Sequence, residues 1–404
     1  MAIIHPFKGW LPKPEHADDI ACVPYDVISK EEAAQMAEGK TDSFLHVIRP
    51  EIDLPDGTPF NDDSVYKKGA ENLKKMLSSS LVQQDEKSQI YIYRLETDTH
   101  TQTGVFTCVS VQDYDEDVIL KHELTRPDKE DDRTRHILEQ SAHAEPVMFT
   151  FKDDEEVQFL IEKTVASSDP FIEHTGDDGV SHKIWKTGKT AGFAEAFSNV
   201  SNFYVADGHH RCKAASRAAE KLRKEKNIFP GEAEFEYFPA VLFPMGQMKI
   251  LAYNRILTTA SDGEIKNFFT EFKPEAGARP TPTEKGRVSI YYDSKWYGMT
   301  LPEPEKPDVV SKLDAARLQD QVLKPLFGIE NPRTDPGINF VGGIRGTGEL
   351  EKLVDSGKAN MAISMYPTSI EELVAVSDAG ELMPPKSTWF EPKLKSGLIV
   401  HTFE

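Results

Sequence analysis

The densest chemistry in the chain lies in Tyr204-Val-Ala-Asp-Gly-His-His-Arg211. The order of residue types reads as a strand that ends, a glycine that turns and a helix that begins. A helix start presents unpaired N–H groups and the positive end of the helix dipole. Two histidines and an arginine in that first turn add donors around the same point, an arrangement that suits a phosphate. Asp207, Gly208, His209, His210 and Arg211 are therefore candidate nucleotide- or phosphate-binding residues. Asp207 has two further readings, as N-cap of the helix or as ligand to a metal ion. Adjacent histidines diverge on a helix, which argues against one zinc shared between them. The plain alternative is a capped helix with surface histidines.

Three other segments carry reactive types. Lys121-His-Glu-Leu-Thr-Arg126 follows a strand and runs into the charged stretch Pro127–Arg133. A glutamate beside a histidine after a strand is a candidate general base, which brings in His122, Glu123, Arg126 and Arg133; the alternative is a solvated loop. Met383-Pro-Pro-Lys-Ser-Thr-Trp-Phe-Glu-Pro-Lys393 has a stiff approach to Lys386, Ser387 and Thr388, three adjacent donors able to meet phosphate. It lacks the glycines of a Walker A loop. Val23-Pro-Tyr-Asp-Val-Ile-Ser29 sets Asp26 after a fixed extended residue, either to position a metal or basic side chain or as a structural turn. Gly342-Gly-Ile-Arg-Gly346-Thr-Gly348 reads as a phosphate turn or a flexible connector, and GxSxG, HExxH and GxGxxG motifs are absent.

The elements that must hold these residues follow from periodicity. Ser29 and Glu32 form a capping box for a helix over Lys30–Gly39. Further helices are expected over Ser64–Ser80, Glu155–Ser167, His209–Lys226, Asp262–Phe272, Lys312–Phe327 and Ser369–Ala379. Gln89–Leu95 and Thr103–Tyr114 flank a turn-rich stretch and read as a hairpin, and Arg287–Thr300 reads as a second. Strands are expected over Asn202–Val205, Pro239–Phe243, Lys249–Ile256 and Asn360–Met365. Hairpins interleaved with helices, without regular βαβ alternation, give an α+β class. The best boundary lies near 260, dividing the chain into 1–260 and 261–404.

Composition narrows the partners. Asp and Glu number 67 against 47 Lys and Arg, a net charge of −20. So acidic a chain is a poor DNA binder, because that affinity comes from neutralising phosphates with basic side chains. A small anion needs only one local cluster of donors. The three cysteines, Cys22, Cys108 and Cys212, are far apart and form no CxxC pair, so neither a disulfide framework nor a cysteine zinc site is expected. No apolar run is long enough to span a membrane and the N-terminus has no signal-peptide core. A reducing cytoplasm is the expected compartment.

VPYDVIS, YVADGHHR and MPPKSTWFEPKLKSGLIVH together resemble domain-of-unknown-function family 1015, as do His122 to Arg133 and LDAARLQDQVLKPLFGI. The strand–DGHHR–helix unit, the HEL segment and the ending PTSIEELVAVSDAGELMPPKST are similar to the archaeal free-serine kinase of the ParB/sulfiredoxin-like fold. That resemblance implies a kinase making O-phosphoserine from L-serine with a nucleotide, ATP or ADP, and Mg²⁺. Glu123, as catalytic base, and His210 are the expected catalytic residues, with Asp207, His209, His210 and Arg211 implied on the phosphates and metal. Lys386, Ser387 and Thr388 would close the site. Many relatives have Pro-Thr-His-Arg where this chain has Ala252-Tyr253-Asn254-Arg255, so only Arg255 is kept. Three functions compete: a small-molecule kinase, a ParB-like nucleotide switch or hydrolase without an acceptor, and a scaffold in which DGHHR is only a turn.

Overall fold

The computed structural model describes residues 2–403, which divide into two compact units. Unit 1 takes the described residues up to Lys121, then Thr125–Met248 and those from Pro392 onward. Unit 2 takes His122–Leu124 and Lys249–Glu391. The main division thus falls between Met248 and Lys249 rather than near 260. The reason is hydrogen bonding: the strand Tyr253–Leu257 pairs with Ile338–Gly342 and Met361–Ser364 and so belongs to the second sheet.

Unit 1 is built on a mixed nine-stranded sheet. The expected hairpin is there as Ile90–Glu96 against Thr101–Ser110. Its second strand stops at Ser110, whose hydroxyl accepts from Gln112 N–H and starts a short helix, Val111–Asp115, where more strand was expected. The strand Phe203–Asp207 lies between Ile119–Leu120, parallel, and Val147–Phe151, antiparallel. Phe149, Phe151, Phe193, Phe197, Phe203 and Val205 fill the core around it.

Two helices dominate the site end of this sheet. His209–Lys226 buries Cys212, Ala214, Ala215, Ala218 and Ala219, and this small-residue stripe carries high helix propensity. Pro127–Gln140 is a helix where the charge run was open to a loop reading. Pro127 occupies its first turn, where a missing N–H is no loss. Its charged residues are not all solvated, since Asp132, Arg133 and His136 are buried.

Unit 2 carries a six-stranded antiparallel sheet in the order 275–276, 295–300, 287–292, 361–364, 253–257, 338–342. The strand expected over Lys249–Ile256 is broken at Ala252: Ile250–Leu251 pairs with Trp389–Phe390, and Tyr253–Leu257 enters the sheet. The helix expected over Lys312–Phe327 is α-helical at Asp314–Leu318, widens at Gln319–Leu323 and ends as Lys324–Phe327. Pro325 explains the widening, because it has no N–H to donate and its ring crowds the carbonyl four residues back. The glycine-rich stretch ends a strand at Gly342 and starts the helix Gly346–Asp355. The molecule is α+β in both units, and among the described residues no helix is long and apolar enough to cross a membrane.

Candidate functional site

In unit 1 the strand ending at Asp207 passes through Gly208 into the helix His209–Lys226. Gly208 is the N-cap, so Asp207 is the last strand residue and not the cap. Gly208 has a φ of 105°, which side chains other than glycine rarely adopt. A Cβ there would lie 2.9 Å from Val147 Cγ1 and 3.1 Å from Arg211 Nε. The turn is thus closed to any larger residue from both conformation and space.

Asp207 stands between two cations. Arg211 Nη2 donates to its Oδ2 at 3.2 Å, and Lys393 Nζ lies 3.3 Å from its Oδ1. Burial pushes the carboxyl upward, but Lys393 and Arg211 outweigh it and hold Asp207 well below the usual carboxylate range. Arg211 is itself buried, and its Nη1 donates to the Pro146 carbonyl. Burial pulls the guanidinium down, yet Asp207, Asp26 and Glu145 pull it above its ordinary value, so it stays a fixed cation.

The Val23–Ser29 turn is pinned to the same place. The Arg133 guanidinium lies 4.1 Å from the Tyr25 ring centre and donates to Asp132 Oδ2 at 2.7 Å. Its other side faces Glu145 at 3.6 Å, and Glu145 accepts from Tyr25 N–H at 3.3 Å. Arg49 Nη1 donates to the carbonyls of Tyr25 and Ile28 at 2.8 and 2.7 Å. Asp26, exposed at the tip, is held close enough for its charge to act on Arg211 and Glu145. Arg133 therefore acts on this turn from below.

The two histidines do diverge. His209 is buried, while His210 Nε2 accepts the backbone N–H of Arg126 at 3.1 Å. An accepting Nε2 places a ring hydrogen on Nδ1. The same bond ties the start of the helix Pro127–Gln140 to the start of His209–Lys226. The Arg126 side chain is exposed and pairs with Asp128 at 2.9 Å.

In unit 2 two distant motifs share one place. The His122 carbonyl accepts from Met383 N–H at 2.8 Å, and His122 Nε2 lies 3.3 Å from Thr388 Oγ1. The Leu124 carbonyl accepts from Arg333 Nη1 at 2.8 Å. Glu123 is half-buried between two anchored neighbours. Ser387 departs from the expectation of an open phosphate donor: it is buried and its hydroxyl donates to Pro384 O at 2.7 Å. Its proton closes the turn. Lys386 is exposed, in the left-handed region at φ 59°, with Nζ 5.2 Å from the Tyr253 ring centre.

A family model described as protein of unknown function, DUF1015, matches residues 4–316, more than half of the chain. The chain belongs to the DUF1015 family. No curated protein matches it. Among solved structures it is similar to a free serine kinase in complex with AMP, at 13% identity and a TM-score of 0.36, over 73% of this chain and 89% of that one. It is similar to a conserved hypothetical protein from Pyrococcus furiosus at 12% identity and a TM-score of 0.36, over 74% and 95% of the two chains. A third is SbnI with a C-terminal truncation from Staphylococcus aureus, at 13% identity and a TM-score of 0.37, over 72% and 85%.

Asp207 of this DUF1015 member was expected to help hold Mg²⁺. Among the described residues no three His, Cys, Asp or Glu side chains gather as a metal centre, and both Asp207 oxygens already face cations. The side chains present do not fit a resident metal there. Three site residues escaped the sequence reading: Lys393, Glu145 and Arg49. Lys393 stood in the quoted C-terminal motif but was passed over for Lys386. Glu145, a charge before Pro146 and the apolar strand Val147–Phe151, was a weak signal. Arg49 had none.

Proposed function

We propose that this protein is a nucleotide-dependent phosphotransferase that phosphorylates the hydroxyl of a small amino acid, free L-serine, with ATP or ADP as donor. On this reading unit 1 contains a ParB/sulfiredoxin-like nucleotide core and the protein works in the cytoplasm. The observation that carries the reading is the turn at Gly208. It opens a helix, whose first-turn N–H groups make no bond within the helix, beside the fixed cations Arg211 and Lys393. Phosphoryl transfer asks a protein mostly for positioning and charge neutralisation, and this turn offers both.

Asp207 orients its two cations rather than a metal. Arg211, Lys393, His209, His210 and the start of the helix meet the phosphate oxygens. Arg126 is an accessory charge. Glu123 takes the proton of the acceptor hydroxyl, a contribution typically of ~10²–10⁴-fold. The acceptor oxygen bonds to the terminal phosphorus. The bond from that phosphorus to the bridging oxygen breaks, and its electron pair leaves on the nucleotide. The anchoring of His122 and Leu124 supports Glu123 in this role, because a base must be held in place.

The nucleotide half is tested by thermal melting and calorimetry with ADP, ATP and AMP. A ligand at 100 times its Kd adds about 2.7 kcal/mol, so a melting rise is expected for the wild type. It should be lost in Arg211→Met. No rise with any nucleotide would overturn the assignment of the Gly208 turn.

A further inference from the structure

The sheet of unit 2 has one residue that does not match its face. Side chains alternate along Tyr253–Leu257. Ile256 faces a core with Val341, Tyr291 and Leu350. Tyr253, Arg255 and Leu257 face the other side, where Leu257, Ile338, Met361 and Ile363 form the larger core. Arg255, opposite Phe340 and Ile363 in the ladders, is only 4% exposed on that apolar face.

Other buried arginines in this chain have carboxylates. Arg211 has Asp207 at 3.2 Å, Arg133 has Asp132 at 2.7 Å, and Arg317 has Glu303 at 2.8 Å. Among the described residues no carboxylate pairs with Arg255. Its Nη1 donates to the carbonyl of Tyr253, two residues back, and its guanidinium lies 5.5 Å from the Phe340 ring centre. Burial pulls its pKa down to about 10, with only Tyr253 acting the other way. An unpaired buried charge is strongly unfavourable, so folding stability alone does not account for this arginine.

Its surroundings are packed aromatic rings. Tyr253 meets Trp389 edge-on at 5.2 Å and Phe340 at 6.1 Å. Trp389 seats against Gly342, where a Cβ would stand 2.5 Å from the indole. Lys386 lies on the Tyr253 ring and adds a second cation. An arginine fork matches two coplanar oxygens.

We propose that Arg255 is the anchor of a small-oxyanion site in unit 2, walled by Tyr253, Phe340 and Trp389, and that its ligand is the carboxylate of the amino-acid acceptor. The anion site stands on unit 2 alone; the choice of carboxylate over phosphate rests on the phosphotransferase reading, which gives the phosphates to the Gly208 turn.

The test is calorimetry and melting on the full chain with L-serine, inorganic phosphate and AMP separately, for wild type, Arg255→Met and Arg255→Lys. Losing a charge-assisted pair should weaken L-serine binding by roughly 10–100-fold in Arg255→Met. The unliganded melting temperature should stay level or rise, since a similarly sized apolar chain replaces an unpaired cation. If Arg255→Met melts lower, Arg255→Lys decides: weakened serine binding at wild-type stability supports the site. Weakened phosphate or AMP binding with serine untouched keeps the anion site and overturns the carboxylate. A lower melting temperature with all binding unchanged makes Arg255 structural and overturns the proposal, as does a wild type that binds none of the three. Arg255-dependent serine binding without phosphoserine formation keeps this site while the transfer reading fails.

Discussion

Lys393 Nζ lies 3.3 Å from Asp207 Oδ1, joining the C-terminal segment to the glycine turn of unit 1. Arg211 holds the other oxygen, so one carboxylate aligns two cations. Lys393→Met leaves the Asp207–Arg211 pair intact and removes one donor to phosphate. Nucleotide affinity should fall by roughly 10–100-fold, the worth of one charge-assisted bond. Calorimetry with ADP reads this directly; unchanged affinity would remove Lys393 from the phosphate set.

Gly208→Ala tests the turn itself. The φ of 105° and the 2.9 Å approach to Val147 force either strain or a shift of Arg211. Strain of this kind costs about 1–3 kcal/mol. The variant should melt lower than wild type and lose its nucleotide-induced rise.

Glu145→Gln tests the support beneath Asp26. Glu145 faces Arg133 and accepts the Tyr25 N–H, and burial raises its pKa even though Arg211 and Arg133 oppose the rise. Breaking a buried pair by removing one partner typically costs about 3–5 kcal/mol. Arg133 keeps Asp132, so the lower end is expected in urea unfolding. A loss near zero would show that Arg133 does not need Glu145.

Acid should destabilise the fold before carboxylates titrate. His136, His143 and His182 are buried with pKa values pulled well below the ordinary value. Burial is the main cause, helped by Arg133, His401 and Lys395 respectively. In the unfolded chain each takes a proton near pH 6.5. Below that pH the unfolded state binds protons that the folded state does not, so stability falls as pH drops and recovers as it rises. Each contributes a slope approaching about 1.4 kcal/mol per pH unit between pH 6.5 and 5. Urea unfolding across this window should show the fall, and His143→Gln should flatten it.

Much of the site could be read from residue order. The strand, Gly208 and the helix His209–Lys226 were legible because a glycine between an apolar run and an alanine stripe leaves few alternatives. Periodicity also found Asp262–Phe272 and the 287–300 hairpin. What it missed depends on distant partners. Nothing local says that Lys393 reaches Asp207, that Thr388 lies beside His122, or that Arg49 holds the Tyr25 carbonyl. The charge run from Pro127 looked solvated because burial of Asp132 and Arg133 follows from their pairing. The fate of the Ser387 proton was set by a turn three residues long, which composition could not distinguish from an open loop.

The central claim is transfer of a phosphoryl group to an amino-acid hydroxyl with Glu123 as base. Its most direct measurement is mass spectrometry of the wild type and Glu123→Gln with Mg²⁺, ATP or ADP, and all free amino acids. O-phosphoserine should form with wild type and fall by ~10²–10⁴-fold in Glu123→Gln, while both proteins still bind nucleotide. Free phosphate without any phosphorylated amino acid, or full activity in Glu123→Gln, would contradict the account.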